Sequence, residues 1–463
     1  MRFIDVVTKV NTALNNFAWG PVMLLLLVGT GIFLTARNGW LQSAKFGFIM
    51  KNTVGRLFAK NKGKNEAGSN VTPFQAVSTA LAGTVGTGNI AGVTGAIFAG
   101  GAGAVFWMWV SAFFGMCTKY AEICLAMKYR ETDEKGVYHG GPMYYIKNGL
   151  GKNWVWLGMI FSVLGALASF GIGNIAQSSE ISGALQDLFG VSDLAAGIIL
   201  AVVVALIIIG GVKRIGKVTE LMVPFMSIFY ILAGIAVIVL RIGDIPAVFG
   251  KIFAGAFSFK AIGGGIFGYT IMMAMKQGFA RGVFSNEAGL GSAPIAHAAT
   301  SETEPCKQAI WGVFEVFMDT IIICSITAFA VLLSGIVDSS ALADYTSKGA
   351  AAAAAFNLIL PGTLGGIVIK ISLLFFALST ILSWSYYGSS CLNYLTKNNS
   401  VVLWIYRIVF TAMCIVGATG NGTLMWDISD TLNGLMAIPN LIALLLLSGT
   451  VAAMTKEYFA RKE

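Results

Sequence analysis

The chain has 463 residues, 56% of them hydrophobic and 11% charged, whereas soluble domains carry about 25% charged residues. So few polar side chains cannot cover a water-facing surface, so the solvent of this chain is mostly lipid. A formal charge of +9 raises nucleic-acid binding, but the basic residues sit in short loops between apolar runs, the cytoplasmic bias of a membrane protein.

Eleven apolar spans follow in chain order, approximately 17–36, 74–98, 103–128, 154–186, 194–212, 219–241, 262–301, 308–336, 364–395, 400–418 and 424–453. Each is close to or above the ~20 residues that carry a helix across a ~30 Å hydrocarbon core. The dyad alternation of a membrane β-barrel is missing. Residues 1–16 are mixed in character with no small-residue cleavage site after them, so the first span is expected to act as its own insertion signal. Spans 154–186 and 262–301 are too long for one straight crossing and must tilt, extend beyond the bilayer or break.

Positive charge alternates from loop to loop. Arg37, Lys45, Lys51, Arg56, Lys60, Lys62 and Lys64 follow the first span, and Lys128, Arg130, Lys135, Lys147 and Lys152 the third. Lys213, Arg214 and Lys217 follow the fifth, and Lys456, Arg461 and Lys462 the last. These loops are assigned to the cytoplasm. The opposite set holds Asp187 and Asp193, then Asp338, Asp344 and Lys348; the loop with Arg241, Lys251 and Lys260 fits less well. Eleven spans with a cytoplasmic C-terminus place the N-terminus outside, in the inner membrane of a bacterial or archaeal cell. The loops at about 37–73 and 129–153 are too short for independent domains, and the alanine-rich run 349–355 is expected as a surface helix without chemistry. Cys117, Cys124, Cys306, Cys324, Cys391 and Cys414 are scattered, and His139 and His297 lie far apart, so neither a metal site nor a disulfide framework is expected.

Two spans carry interruptions. In the second, Ala82-Gly83-Thr84-Val85-Gly86-Thr87-Gly88-Asn89 concentrates glycines, each costing a helix roughly 1 kcal/mol against alanine. Close helix packing would ask only for small size, whereas Thr84, Thr87 and Asn89 add hydrogen-bonding groups. In the seventh, Arg281-Gly282-Val283-Phe284-Ser285-Asn286-Glu287-Ala288-Gly289-Leu290-Gly291 is either a break within the membrane or a cytoplasmic loop between two shorter apolar segments. The spacing favours a break. These spans lie five apart, and spans two to eleven divide into two sets of five. Interruptions at corresponding positions of two repeats, the second inverted by its odd count, are the pattern of an inverted-repeat transporter. Exposed N–H groups at such a break suit a substrate carboxylate, and exposed carbonyls suit Na⁺ or an ammonium group.

At these residues the sequence resembles the alanine or glycine:cation symporter family, the sodium:alanine symporters of the amino acid–polyamine–organocation superfamily. The matching motifs are GTGNIAG at 86–92, GGAGAVFWMWVSAFFG at 100–115, GMCTKYAE at 115–122, GGPMYY at 140–145, FGIGNIAQ at 170–177, RGVFSNEAGLGSAPIAHA at 281–298, WSYYG at 384–388 and DTLNGLMAIPN at 430–440. They run through nearly the whole chain. Ala102 departs from the family, where many members carry proline, and bears on a helix start.

The resemblance implies an all-α membrane protein with about eleven transmembrane helices in a five-plus-five inverted-repeat fold. Residues 1–70 would form an extra N-terminal helix and cytoplasmic loop, 71–245 the first repeat and 255–455 the second. It also implies import of alanine or glycine with Na⁺ or H⁺, no cofactor beyond that ion, and no enzymatic activity. By family similarity Gly86, Thr87, Gly88 and Asn89 meet the substrate carboxylate, and Gln177, Phe284, Asn286, Thr380 and Trp384 line the rest of the pocket. Na⁺ would sit on the carbonyls of Ala82 and Val85 with Ser379, Thr380 and Ser383.

Spacing accords with part of this. Ser379 and Ser383 share a helical face with Thr380 and Trp384 beside it, and the same serines could instead bond their own i−4 carbonyls. A Phe284–Trp384 pair could cap a small cavity. Lys119 and Glu122, one turn apart, are expected to pair. Glu287, Glu315 and Asp319 are candidates for a proton or cation pathway, with Glu287 expected to brace the break by accepting backbone N–H groups. H⁺-coupled uptake, a passive channel and a membrane-embedded enzyme are the competing readings; the enzyme lacks any clustered catalytic set. Lipid and a small amino acid are the expected partners, and oligomeric state is open.

Overall fold

A computed structural model describes residues 3–57, 70–257, 267–420 and 422–462. Lys60, Lys62, Lys64 and Lys260 lie outside them. The described chain is almost entirely helical, as a backbone in lipid must be, since each N–H and C=O then finds its partner within its own segment. Among the described residues eight helices are long and apolar enough to cross a membrane, and nine if the pair Pro73–Thr84 and Gly88–Gly100, bent by 42°, is one span. Asp193–Ile208, a shorter apolar helix, and Phe267–Asn286 with Ala293–Ala298 fill the two remaining positions. A helix or broken helix thus stands at each of the eleven expected positions, nine of them with the length and hydropathy of a crossing.

Their caps are local chemistry. The second span starts on a reciprocal pair in which Thr72 Oγ1 accepts from the Gln75 N–H and Gln75 Oε1 accepts from the Thr72 N–H, each at 3.1 Å, ahead of Pro73. Asn399 caps the tenth span, Ser400–Thr419, by accepting from Val401 and Val402. The fourth span, Lys152–Phe189, absorbs its excess length through a widened turn at Gly171–Ile175.

Burial sorts the spans into core and periphery. The third (Gly103–Lys128) and eighth (Pro305–Ser334) are the most enclosed, with 78% of each apolar window buried, against 28% for Gly211–Leu240 and Ser400–Thr419. These two central spans are again five apart and directly follow the interrupted ones, which accords with two copies of one five-helix unit. Outward-facing Leu221, Val22 and Leu25 present their side chains to lipid. The ends of the two interrupted spans are joined: the Val71 N–H donates to Ala299 O (3.2 Å) and the Ser301 N–H to Val71 O (2.8 Å). Arg130, from the loop after the third span, donates to the carbonyls of Ala298, Thr300 and Glu302 beside that junction.

Several local features depart from expectation. A helix, Phe3–Ala18, to which the mixed sequence assigns no element, precedes the first span. A two-stranded ribbon, Glu131–Thr132 against Tyr138–His139, closes the loop after the third span. The alanine-rich run is not a surface helix: within Lys348–Asn357, Ala351, Ala352, Ala353, Ala355 and Phe356 are buried, and the helix packs on Leu364–Thr396 and on the turn Gly88–Gly92. Methyl-sized side chains let it approach that closely.

Candidate functional site

Glycine content makes the first break. The helix Pro73–Thr84 stops, Val85 turns extended (φ −79°, ψ 94°), and a wide turn at Gly88–Gly92 restarts the helix. Asn89 Oδ1 accepts from the freed Gly86 N–H at 2.9 Å, and Gln177 Oε1 from the Thr87 N–H at 3.3 Å. Gln177 in turn donates to Ile172 O (3.0 Å) in the widened turn of the fourth span, so one carboxamide couples the two irregular turns. A Cβ at Gly86 would lie 2.4 Å from Thr380 Oγ1, so only glycine admits the ninth span there. The Thr87 hydroxyl is buried with no partner.

The seventh span breaks in the buried interior of the protein and not as an exposed loop. Phe267–Asn286 ends, Glu287, Gly289 and Gly291 take φ of +57°, +91° and +82°, and Ala293–Ala298 resumes the helix. Asn286 Oδ1 accepts from the Ala288 N–H (2.9 Å), and its Nδ2 donates to Thr320 (3.2 Å). Glu287 is a brace, but through side chains where backbone N–H donors were expected: it accepts from Trp384 Nε1 at 2.9 Å and from Ser292 Oγ at 2.7 Å.

Charged groups join the two breaks. Lys119 does not pair with Glu122. Its ammonium donates to Thr84 Oγ1 (3.1 Å) at the end of the first half-helix and to Asn286 O (2.9 Å) at the end of the second, and it meets Glu315 Oε2 at 3.2 Å. Both helix ends carry partial negative charge, so a cation between them is favourably placed. Glu315 also meets His297 Nε2 at 2.8 Å. Glu122 instead accepts from the Gly291 N–H (3.1 Å) and from Asn440 (2.5 Å), and Asn440 also donates to Gly289 O (2.9 Å). Asp319 accepts from Asn89 (2.6 Å) of the first break and Ser285 (2.8 Å) of the second.

Oxygen atoms gather between the second and ninth spans. Ser379 Oγ and Thr380 Oγ1 lie 3.3 and 3.1 Å from Ala82 O. Ser383 sits one turn away, donating to Thr79 O at 2.7 Å, and the Val85 N–H keeps a helical bond to Leu81 O. Ala82, Ser379 and Thr380 are therefore brought together, with Val85 and Ser383 at the margin. Among the described residues no group of three or more His, Cys, Asp or Glu could hold a metal ion; the cluster here is of neutral oxygens.

Phe284 does not pair with Trp384. Its ring stacks on Trp426 at 5.4 Å, while Trp384 packs on Tyr387 at 5.5 Å and presses against Gly173, where a Cβ would meet Trp384 Cβ at 2.3 Å. Above the Phe284–Trp426 stack, Arg281 pairs with Asp430 through both nitrogens, one at 2.9 Å, and Lys348 lies 4.9 Å from the Trp426 ring. Trp426, Lys348 and Asp430 carried no isolated signal in the sequence; Asp430 and Asn440 lay at the ends of a quoted motif without an assigned role. Thr87, Gln177, Phe284, Thr380 and Trp384 are all buried, and a cavity lined by Val137, Gly211, Ser390 and Arg407 has no residue of either break in its wall.

Residues 4–463 match the family described as the sodium:alanine symporter family. The chain belongs to the sodium:alanine symporter family. A sodium/alanine symporter, AgcS of Methanococcus maripaludis, is 48% identical over 98% of each chain. A probable sodium/glutamine symporter, GlnT of Bacillus subtilis, is 38% identical over 97% of this chain and 90% of its own. Among solved structures the fold is similar to that of MhsT in complex with L-phenylalanine, at TM-score 0.57 and 13% identity over 85% of this chain and 99% of that one. It is also similar to a Na⁺-coupled sialic acid symporter, at TM-score 0.51 and 14% identity over 96% and 85%. This sodium:alanine symporter family member is thus a multi-pass amino-acid symporter with the five-plus-five transporter fold, and not an enzyme.

Proposed function

We propose that the chain imports a small neutral amino acid, alanine or glycine, coupled to Na⁺ by alternating access between repeats 71–245 and 255–455. The N-terminus would lie outside and the C-terminus in the cytoplasm, as the lysine and arginine loops require. The observation that carries the reading is the meeting of two half-helix breaks at Lys119 and Asp319, with Gln177 on the first break and the Thr87 hydroxyl beside it left without a partner.

The substrate carboxylate takes the Thr87–Asn89 turn, where it accepts from the unpartnered Thr87 hydroxyl and replaces Gln177 on the Thr87 N–H. The ammonium takes the opposite side, near the carbonyl end of Phe267–Asn286. Phe284 and Trp384 bound the side-chain space. Gly88 already stands against Phe284, with a Cβ placed there 3.1 Å from the ring, so the room left suits hydrogen or methyl. AgcS is named for sodium and alanine, which agrees.

Na⁺ takes the Ala82 carbonyl with Ser379 and Thr380, because uncharged oxygen ligands suit a hard cation that must be released again. Val85 and Ser383 complete the shell if the Ser383 hydroxyl swings from Thr79. A second reading, H⁺ coupling, rests on Asp319, a buried carboxylate shared by both breaks. Proteoliposomes decide between them. Labelled alanine accumulates against its gradient only with an inward Na⁺ gradient if the proposal holds. Accumulation driven by a pH gradient alone selects H⁺, and downhill flux indifferent to both ions contradicts symport.

A further inference from the structure

The eleventh span, Gly422–Ala460, runs past the whole length of the second break. At one end Trp426 stacks on Phe284, and at the other Asn440 donates to Gly289 O. Asn433 is seven residues from each. Seven residues are about two helical turns, so the three side chains share one face at intervals of about 10 Å. That register sets Asn433 level with the stretch between Phe284 and Gly289, where the half-helix ends and its last carbonyls lose their intrahelical partners.

The neighbouring strip of the same helix faces the fourth span. A Cβ at Gly171 would meet Ser429 Oγ at 3.0 Å, and one at Gly165 would meet Met436 Sδ at 3.5 Å. Asn433 stands between Ser429 and Met436, across from the segment whose widened turn Gln177 ties to the first break. It is therefore placed between both irregular turns and the second break.

Asn433 is fully buried, and neither Oδ1 nor Nδ2 has a hydrogen-bond partner. More than nine in ten buried polar groups are paired, and an orphaned carboxamide is costly to bury. Its neighbour in kind, Asn440, has every polar atom engaged, so the helix position does not by itself leave such groups bare. A leucine of similar size would fill the space at Asn433 without that cost.

We propose that Asn433 is a substrate-binding residue, its carboxamide oxygen accepting an N–H of the amino acid's ammonium group. The inference rests on the proposed amino-acid site and extends it to the eleventh span. Thr87, whose hydroxyl is likewise without a partner, stands at the N–H-rich turn suited to carboxylate; Asn433 is level with the carbonyl-rich end suited to ammonium. One small amino acid satisfies both.

The test is alanine titration by calorimetry into the purified full chain in saturating Na⁺, with a melting curve of the ligand-free protein beside it. Asn433→Leu is expected to weaken alanine binding by about tenfold or more, the scale of a lost hydrogen bond to a charged group, while the ligand-free variant melts no lower than wild type. Unchanged alanine affinity in Asn433→Leu overturns the proposal, since a bridging water or an idle amide would give that result. A variant that fails to fold overturns it equally, because it would mean the carboxamide has a structural partner. If the unaltered protein binds neither alanine nor glycine, the amino-acid site itself is contradicted and the role of Asn433 falls with it.

Discussion

The breaks in the second and seventh spans differ in what holds them. The backbone of the first is held by neutral groups, Asn89 on the Gly86 N–H, Gln177 on the Thr87 N–H and Thr327 donating to Asn89 O at 2.7 Å, while Lys119 and Asp319 reach only its side chains Thr84 and Asn89. No residue of it takes a positive φ. The second contains three left-handed residues, including the non-glycine Glu287, and is bound by ionisable side chains from two other spans, Lys119 and Glu122 of the third and Glu315 of the eighth, together with Asn440 and Trp384. Weak neutral bonds can be exchanged for bonds to a ligand at small cost, whereas a buried charged lattice is strongly destabilised when one member goes. The first break is thus suited to receive substrate and the second to act as a rigid brace against it.

That contrast can be broken most sharply at Lys119. Lys119→Met leaves Glu315 and the Asn286 carbonyl uncompensated and is expected to cost about 3–5 kcal/mol, seen as a large drop in melting temperature or loss of monodisperse protein. A folded, transporting Lys119→Met would show that the second break needs no charged brace. Gln177→Leu comes next. It unpairs the Thr87 N–H and Ile172 O, so alanine affinity is expected to fall about 30-fold, some 2 kcal/mol, with the chain still folded by melting curve. Loss of folding without any loss of affinity per folded molecule would assign Gln177 to the scaffold.

Smaller effects sharpen the ion side of the first break. Ser379→Ala and Thr380→Val are each expected to raise the Na⁺ concentration for half-maximal uptake by about tenfold, with alanine affinity at saturating Na⁺ changing less. Ser383→Ala is the smallest, a change under about threefold, because its hydroxyl serves the Thr79 carbonyl. A shift as large as that of Ser379→Ala would place Ser383 in the ion's shell.

Much of this was legible in the sequence. Apolar run length placed every span, and glycines beside Thr87, Asn89 and Glu287 located both breaks, because a helix in lipid cannot lose its bonds without polar replacements. What stayed hidden depends on pairing across distant segments. Lys119 and Glu122 are one turn apart, so local spacing paired them; packing instead gives Lys119 to Glu315 and Glu122 to Asn440. Phe284 finds Trp426, 142 positions away, which no periodicity signals. The alanine run reads as bland by composition, yet small side chains are what let it pack on Gly88–Gly92.

Calorimetric titration of alanine into the purified chain and into Gln177→Leu, each with Na⁺ and with Na⁺ replaced by a large organic cation, tests the central claim most directly. The account predicts binding to the unaltered chain only with Na⁺, and binding to Gln177→Leu about 30-fold weaker under the same conditions. Equal alanine affinity in all four titrations would contradict a Na⁺-coupled site between the two breaks.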